Sequence, residues 1–225
     1  MTKKILILMA LFPAVSFALN LPGAGGARLR VPVQSFAEIK FGEVVKQQYD
    51  FSCGSAALAS LLSHHYAMSV SEEEVFEDMF RFGDKEKIEK FGFSMLDMKR
   101  FLSRRGLSSE GYRMTREDIT SLGLPAIALV NYDGYNHFVV IKGISNDKVL
   151  IGDPSLGLHI TDAESFDKSS NGVFLVIKDK VELARAGFNK KENWEHSAPN
   201  APTSMALRQR LPHLTELMLP ADKLY

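Results

Sequence analysis

The sequence changes character near Pro125, and this change constrains the fold more than any other feature. Helical patterns precede it, and the strongest is an Ala/Leu-rich segment at 54–68 that predicts a buried helix. Short β-rich segments separated by turn residues follow it. Helices followed by consecutive strands predict an α+β fold, in which N-terminal helices pack on a C-terminal antiparallel β-sheet.

Capping residues and turns set the predicted element boundaries. Three further helices are predicted to begin at capping pairs: Ser71 with Glu74, Ser94 with Asp97, and Thr115 with Asp118. Strands are predicted at 125–132, 138–144, 148–152 and 173–178, with a short helix at 162–166.

The N-terminus has the pattern of a secretory signal peptide at 1–18. Lys3 and Lys4 precede an apolar run at 5–17, and small residues stand at Ser16 and Ala18. A run of this length falls short of the ~20 residues of a membrane helix, although an uncleaved anchor is the alternative. We therefore expect an exported, periplasmic protein whose mature chain has no membrane span.

The mature chain is predicted to have three parts. Residues 19–35 are Gly-rich and predict a flexible leader, and 31–45 predicts an extended lead-in strand. The domain itself is expected at 36–180. Residues 181–225 are polar and predict a linker or docking tail with one short helix at 205–211.

Charge and cysteine content exclude several functions. Lys and Arg total 27 and so do Asp and Glu, which leaves no basic excess for general nucleic-acid binding. The single cysteine, Cys53, excludes an intrachain disulfide framework and a cysteine-based zinc site. We expect neither metal nor cofactor. A lone cysteine in an exported protein is an intermolecular partner or a reactive thiol.

Cys53 directly precedes the strongest predicted helix. The positive end of a helix dipole favours the thiolate, which is the nucleophilic form. A nucleophile at that place is expected to be partly exposed, and Gly54 is expected to let substrate approach the backbone. The alternative is a buried, inert cysteine. Gln47 and Gln48 precede it by six and five residues, and either amide is a candidate donor to an oxyanion, with the Cys53 N–H.

His137 and Asp153 are separated by sixteen residues, which span a predicted strand, a turn and a second strand. An antiparallel pair of strands brings two such residues close together. We expect Asp153 to accept the Nδ1–H of His137 and to leave Nε2 facing the thiol. A turn aspartate and a structural histidine are the alternatives, and His159 is a weaker candidate base.

The segment 47–58 (QQYDFSCGSAAL) resembles the nucleophile motif of the bacteriocin-processing peptidases, which are papain-like cysteine peptidases that cut leader peptides after a double glycine. Segments 136–141 (NHFVVI) and 151–157 (IGDPSLG) resemble their histidine and aspartate motifs. The resemblance covers 36–180. It implies a papain-like fold with Cys53 as nucleophile, His137 as base and acid, Asp153 as orienting residue and Gln47 as oxyanion donor.

The signal peptide makes the chain more similar to the stand-alone members of that family than to those fused to transporters. Such a resemblance implies a periplasmic endopeptidase cutting near small residues in an exported peptide or protein, with an amyloid subunit or another export component as the expected client. Two other functions stay open: a non-catalytic module that holds an export client in the same groove, and another papain-like acyl-transfer or amide hydrolysis reaction.

Overall fold

The computed structural model of the protein describes residues 18–22, 28–32, 36–49, 51–132 and 134–197. The chain divides into two compact units, Met1–Ser35 and Phe36–Tyr225. Within the first unit, β1 (Ala18–Pro22) pairs with β2 (Arg28–Pro32) as an antiparallel ribbon in the segment predicted to be a flexible leader. The predicted signal peptide, apart from Ala18, and the predicted helix at 205–211 lie outside the described residues.

The second unit begins with the helices predicted from the sequence and two that were missed. They are α1 (Phe36–Phe41), α2 (Cys53–His65), α3 (Glu72–Phe82), α4 (Lys85–Phe91), α5 (Met95–Arg104) and α6 (Arg116–Leu122). The prediction of an extended segment at 31–45 is wrong at Phe36–Phe41, where α1 forms. Glu38 in its first turn and Lys40 in its last complement the helix dipole.

A six-stranded antiparallel sheet follows in the order β3-β8-β4-β5-β6-β7. Its strands are β3 (Ser109–Arg113), β4 (Ala126–Tyr132), β5 (Tyr135–Ser145), β6 (Lys148–Asp153), β7 (Gly157–Asp162) and β8 (Ser170–Ile177). Helix α7 (Ala163–Ser169) joins β7 to β8. The predicted α+β architecture is confirmed, with helices packed on an antiparallel sheet.

Helix α2 is the centre of the core. Its side chains are buried from Cys53 through Leu62, and it packs against both α3 and β5. Burying one leucine side chain contributes roughly 1.5–3 kcal/mol, so Leu58, Leu61 and Leu62 together anchor the helix firmly. Because α2 begins at Cys53, this packing also fixes the position of the thiol relative to the sheet.

The first part of the predicted tail packs on the domain as α8 (Val181–Ala186) and α9 (Lys191–His196). Trp194 packs against a small apolar cluster that contains Val44, and Asn193 donates to the Glu43 carboxylate at 3.1 Å. The same carboxylate accepts from the buried Lys142 ammonium at 3.2 Å. Burial lowers the pKa of Lys142 to about 8, and the Glu43 charge opposes that change. Among the described residues, no helix is long and apolar enough to cross a membrane.

Candidate active site

Cys53 is the first residue of α2, and its thiol is buried, with 7% of the residue exposed. The expectation of a partly exposed cysteine is therefore wrong, because α2 carries the thiol into the main core cluster. Gly54 serves packing: a Cβ there would lie 2.9 Å from Met98 Cε and 3.2 Å from Phe93 Cβ. A side chain at this position would require Met98 and Phe93 to move, so glycine suits the close approach of the first turn of α2 to these residues.

The residue before the cysteine, Ser52, is the N-cap of α2, yet its side chain makes no capping hydrogen bond to the helix. Its hydroxyl instead donates to the carboxylate of Glu72 and accepts the Tyr49 N–H at 3.2 Å. The first N–H groups of an α-helix have no partner within the helix. The N–H of Cys53 is therefore one of the groups with which α2 can receive a developing negative charge.

His137 lies near the start of β5 and is buried, with 3% exposed. Its Nε2 contacts Asp153 Oδ1 at 2.8 Å, so the structure brings these two predicted residues together. The predicted choice of ring nitrogen is wrong: Asp153 takes Nε2, and Nδ1 has no hydrogen-bond partner among the described residues.

The register of the strands places the two residues on a diagonal. Val140 on β5 lies opposite Gly152 on β6, which places Asp153 opposite Val139, two residues from His137. Diagonal neighbours of this kind remain within reach of long side chains, and here the Asp153 carboxylate meets Nε2 of His137. Nδ1, the ring nitrogen nearer to the backbone, is not engaged by Asp153.

Asp153 ends β6 and is almost completely buried. Its Oδ1 accepts the backbone N–H of Ser155 at 2.7 Å and that of Leu156 at 3.1 Å, in addition to His137. Burial by itself would raise the pKa of Asp153, but His137 and the two N–H groups hold it below its usual value. The aspartate is therefore a fixed anion, oriented by the turn that follows it.

Electrostatics favour a charged imidazole at this place. Burial lowers the pKa of His137, yet the hydrogen bond to Asp153 and the interaction with Cys53 outweigh it and raise the pKa to about 9. Two tyrosine rings flank the imidazole, with centroids 6.1 Å (Tyr132) and 6.2 Å (Tyr135) away. Burial and the Asp153 charge raise the pKa of Tyr132 to about 12.

Gln47 connects the segment before Cys53 to the turn after Asp153. Its backbone N–H donates to Pro154 O at 3.0 Å, its Oε1 accepts the Ser155 hydroxyl at 2.9 Å, and its Nε2 donates to Tyr49 O at 3.2 Å. Gln48 is exposed, and its backbone N–H points to Glu72 instead. Of the two glutamine candidates, Gln47 is the one held beside the Asp153 turn.

Glu72 and Ser155 were missed at the sequence level. Glu72 stands inside a helix-capping pattern that already explains an acidic residue in the first turn of α3. Ser155 follows an Asp-Pro pair that is typical of turns. Neither residue gave a signal that distinguished a site residue from a structural one.

Comparison with known proteins identifies the family. The Peptidase C39 family matches residues 42–182. The chain belongs to the peptidase C39 family. Two relatives, each named "Probable functional amyloid protease FapD", are 39% identical: one from Pseudomonas aeruginosa over 68% of each chain, and one from Pseudomonas fluorescens over 72% of each chain. The family predicted from the sequence motifs is confirmed.

Solved C39 domains share the fold. The peptidase domain of Streptococcus ComA, a bifunctional ABC transporter, superimposes with a TM-score of 0.52 at 23% identity, covering 60% of this chain and 96% of that domain. A double-glycine-motif protease from an AMS/PCAT transporter, solved with its leader peptide, gives 0.50 at 29% identity, covering 60% and 89%. The predicted papain-like fold is confirmed, and these relationships support a peptidase role for this C39 chain.

Proposed function

We propose that the protein is a periplasmic cysteine endopeptidase that cuts an exported client next to small residues. One observation carries this proposal: a buried His137–Asp153 pair, 2.8 Å apart, interacts with a buried cysteine at the start of a helix, and the pKa of His137 is raised to about 9. The imidazole is then cationic at neutral pH, which stabilises a thiolate beside it.

In the proposed reaction, Cys53 Sγ attacks the scissile carbonyl carbon, and the carbonyl oxygen takes the negative charge. The Cys53 N–H and the Gln47 amide are the proposed donors to that oxygen. His137 passes its proton to the leaving amine as the C–N bond breaks, which leaves a thioester. The neutral His137 then takes a proton from the water that attacks the thioester, and the C–S bond breaks to release the acid and to restore the Cys53 thiolate beside the cationic imidazole. Asp153 holds the imidazole through Nε2 and keeps Nδ1 toward sulfur.

The crowding around Cys53 supports cleavage after a double glycine. The cysteine is 7% exposed, and the rings of Tyr132 and Tyr135 flank the imidazole that would serve it. We expect a side chain on the residue that carries the scissile carbonyl to collide with these groups. In a peptide that is cut after Gly-Gly, replacing both glycines with alanine should lower kcat/KM about 10–200-fold per added methyl group, the usual range for one methylene. Equal cleavage of both peptides would contradict this specificity.

The predicted signal peptide and the similarity to the FapD relatives support a role in functional-amyloid biogenesis in the periplasm. Cell fractionation with intact mass measurement tests the location: we expect a periplasmic protein that begins at Leu19. A cytoplasmic protein that retains residues 1–18 would contradict the location while leaving the peptidase assignment untouched.

Activity is tested by incubating the purified protein with exported proteins encoded beside its gene and measuring intact masses. We expect one client to be shortened at a bond next to small residues, and Cys53→Ser to leave every mass unchanged. Because the buried thiol of Cys53 lies in the core cluster, melting temperature must show that the Cys53→Ser variant is folded. If the wild type binds a client tightly but cuts none, the chain is a non-catalytic holding module.

A further inference from the structure

Glu72, the first residue of α3, is a buried carboxylate that faces the segment before Cys53. Only 3% of it is exposed. Its two oxygens accept the backbone N–H of Gln48 at 3.1 and 3.0 Å, and one of them also accepts the Ser52 hydroxyl. No residue outside α3 other than these two gives Glu72 a hydrogen bond within the described parts of the chain.

No lysine, arginine or histidine lies within ion-pair distance of Glu72 among the described residues. Burying a carboxylate is costly unless its oxygens receive hydrogen bonds. The Gln48 amide and the Ser52 hydroxyl are the donors that meet this need. Glu72 is thus bound to the segment before the nucleophile rather than to a cation of the helix layer.

The two donors lie next to the proposed site residues in the sequence. Gln48 directly follows Gln47, and Ser52 directly precedes Cys53. One rigid carboxylate therefore links the residue next to the proposed oxyanion donor with the residue next to the proposed nucleophile. Tyr49 and Phe51 between them are 55% and 39% exposed, and their rings contact Phe76 of α3 at centroid distances of 5.6 and 5.7 Å. Glu72 therefore adds polar contacts to a segment that aromatic contacts already join to α3.

The contact also sets the start of α2. Serine at an N-cap usually accepts an N–H of the first turn. Here the Ser52 hydroxyl is directed to Glu72, and no capping hydrogen bond forms. The N–H groups at the start of α2 are then not occupied by that side chain.

We propose that Glu72 is a positioning residue of the peptidase: it holds Gln47 and the Cys53 N–H in the geometry that receives the carbonyl oxygen in the transition state. The proposal rests on the proposed function. It differs from a purely structural role because Glu72 acts through Gln47 and α2, so its removal should weaken transition-state binding and spare the thiol itself.

The test compares Glu72→Gln with Glu73→Gln. Glu73 is the next residue of the same helical turn but is exposed, so its variant removes the same charge without the contacts. The first probe is a peptide containing one Gly-Gly site. The second is a peptide aldehyde ending in Gly-Gly: Cys53 Sγ attacks its carbonyl carbon reversibly, and the proton held by His137 moves to the oxygen. We expect Glu72→Gln to lower kcat about 10²-fold with KM little changed, and to weaken aldehyde binding similarly. Glu73→Gln should match the wild type in both.

A double-mutant cycle separates positioning from folding. If Glu72 acts through Gln47 and the Cys53 N–H, the loss of kcat in Gln47→Ala/Glu72→Gln should be clearly smaller than the product of the two single losses, of which that of Gln47→Ala is expected at about 10²–10³. The iodoacetamide labelling rate of Cys53 should stay within about twofold in Glu72→Gln. Unchanged kcat in Glu72→Gln, or additive losses in the cycle, would overturn the proposal.

Two further outcomes are decisive. If Glu72→Gln does not fold, Glu72→Asp keeps the charge but is one methylene shorter, so it cannot reach both Gln48 and Ser52; wild-type kcat in that variant would overturn the proposal. If the wild type cuts no peptide and Cys53 binds no aldehyde, the proposed function has failed. If the wild type cuts the peptide but the Glu72 variants behave like it, the positioning role of Glu72 is wrong and the proposed function stands.

Discussion

His137 and His65 are equally buried, each 3% exposed, yet their environments are opposite. His137 Nε2 contacts the Asp153 carboxylate at 2.8 Å, whereas neither ring nitrogen of His65 has a hydrogen-bond partner among the described residues. Burial lowers the pKa of both imidazoles. Asp153 and Cys53 reverse this at His137 and raise its pKa to about 9, while the pKa of His65 falls to about 3.

The contrast shows what makes a buried histidine chemically useful. His65, at the end of α2, faces Gly187 after α8 and is a neutral packing group. Nearby Lys142 and Lys190 lower its pKa further, and Glu43 opposes them. In the proposed reaction, His137 carries the proton that passes to the leaving amine. A fixed carboxylate, rather than burial, distinguishes the site from the core.

The largest expected effect is on turnover. His137→Gln should lower kcat by about 10⁴–10⁶, the range for loss of a catalytic base from a unit of coupled residues. His65→Gln is the matched control and should keep kcat within about threefold per folded molecule, because no element of the proposed reaction touches it. Cleavage of a Gly-Gly peptide, normalised to the folded fraction, measures both. A comparable loss of kcat in the two variants would remove the distinction.

Removing the Asp153 carboxylate should lower the pKa of His137 toward the low pKa of His65. In Asp153→Ala the burial remains but the strongest partner is gone, so the pKa of His137 should fall from about 9 by about 1–3 units. NMR titration of the imidazole C–H signals measures the change, and His65 should not move. A pKa that stays near 9 would mean that Cys53, not Asp153, holds the proton on the ring.

The two histidines should destabilise the fold at opposite ends of the pH scale. The folded pKa of His65, about 3, lies below the unfolded value near 6.5. Its favourable contribution to the free energy of unfolding is therefore complete above pH 6.5. This contribution is lost as pH falls toward 3, by about 1.4 kcal/mol per pH unit. The folded pKa of His137 lies above the unfolded value, so its contribution is present below pH 6.5 and is lost as pH rises through 9.

Urea unfolding from pH 4 to 9.5 tests both signs. His65→Leu should flatten the acid side of the stability curve and leave the alkaline side unchanged. Asp153→Ala should flatten the alkaline side, because it removes the reason for the raised pKa of His137. An acid side that is equally steep in His65→Leu would assign it to other groups, such as His64.

How far the sequence could predict this arrangement differs between neighbouring residues. The His-to-Asp spacing and the turn at Asp153-Pro154 predicted that His137 and Asp153 meet, because antiparallel pairing follows from short strands and tight turns. The ring nitrogen that Asp153 contacts depends on the rotamer of His137, which no spacing reveals. Glu72 was equally hidden, since an acidic residue in a first helical turn is ordinary.

The elements that were missed have weak patterns for a physical reason. In α4 only Ile88 is buried, so its sequence KEKIEKF lacks an apolar face. Strand β3 is at the sheet edge and mostly exposed, which removes the alternation that predicts a strand. Helices α8 and α9 depend on contacts distant in sequence, such as Asn189 Oδ1 accepting the Ile144 N–H at 2.8 Å. Local patterns cannot encode such contacts.

The smallest expected effect concerns Gly187, which lies against His65. A Cβ at this position would lie 2.5 Å from His65 Nδ1 and 3.3 Å from Ala184 O, so either the imidazole or the end of α8 must shift. The φ angle of −89° suits any residue, and the cost comes from crowding alone. Gly187→Ala should therefore destabilise the protein by about 1–3 kcal/mol with kcat unchanged.

In His65→Ala/Gly187→Ala the crowding against the imidazole is gone, so Gly187→Ala should destabilise the His65→Ala protein less than it destabilises the wild type. Urea unfolding measures all four proteins, and equal costs in both backgrounds would show that the Ala184 carbonyl, rather than His65, sets the need for glycine.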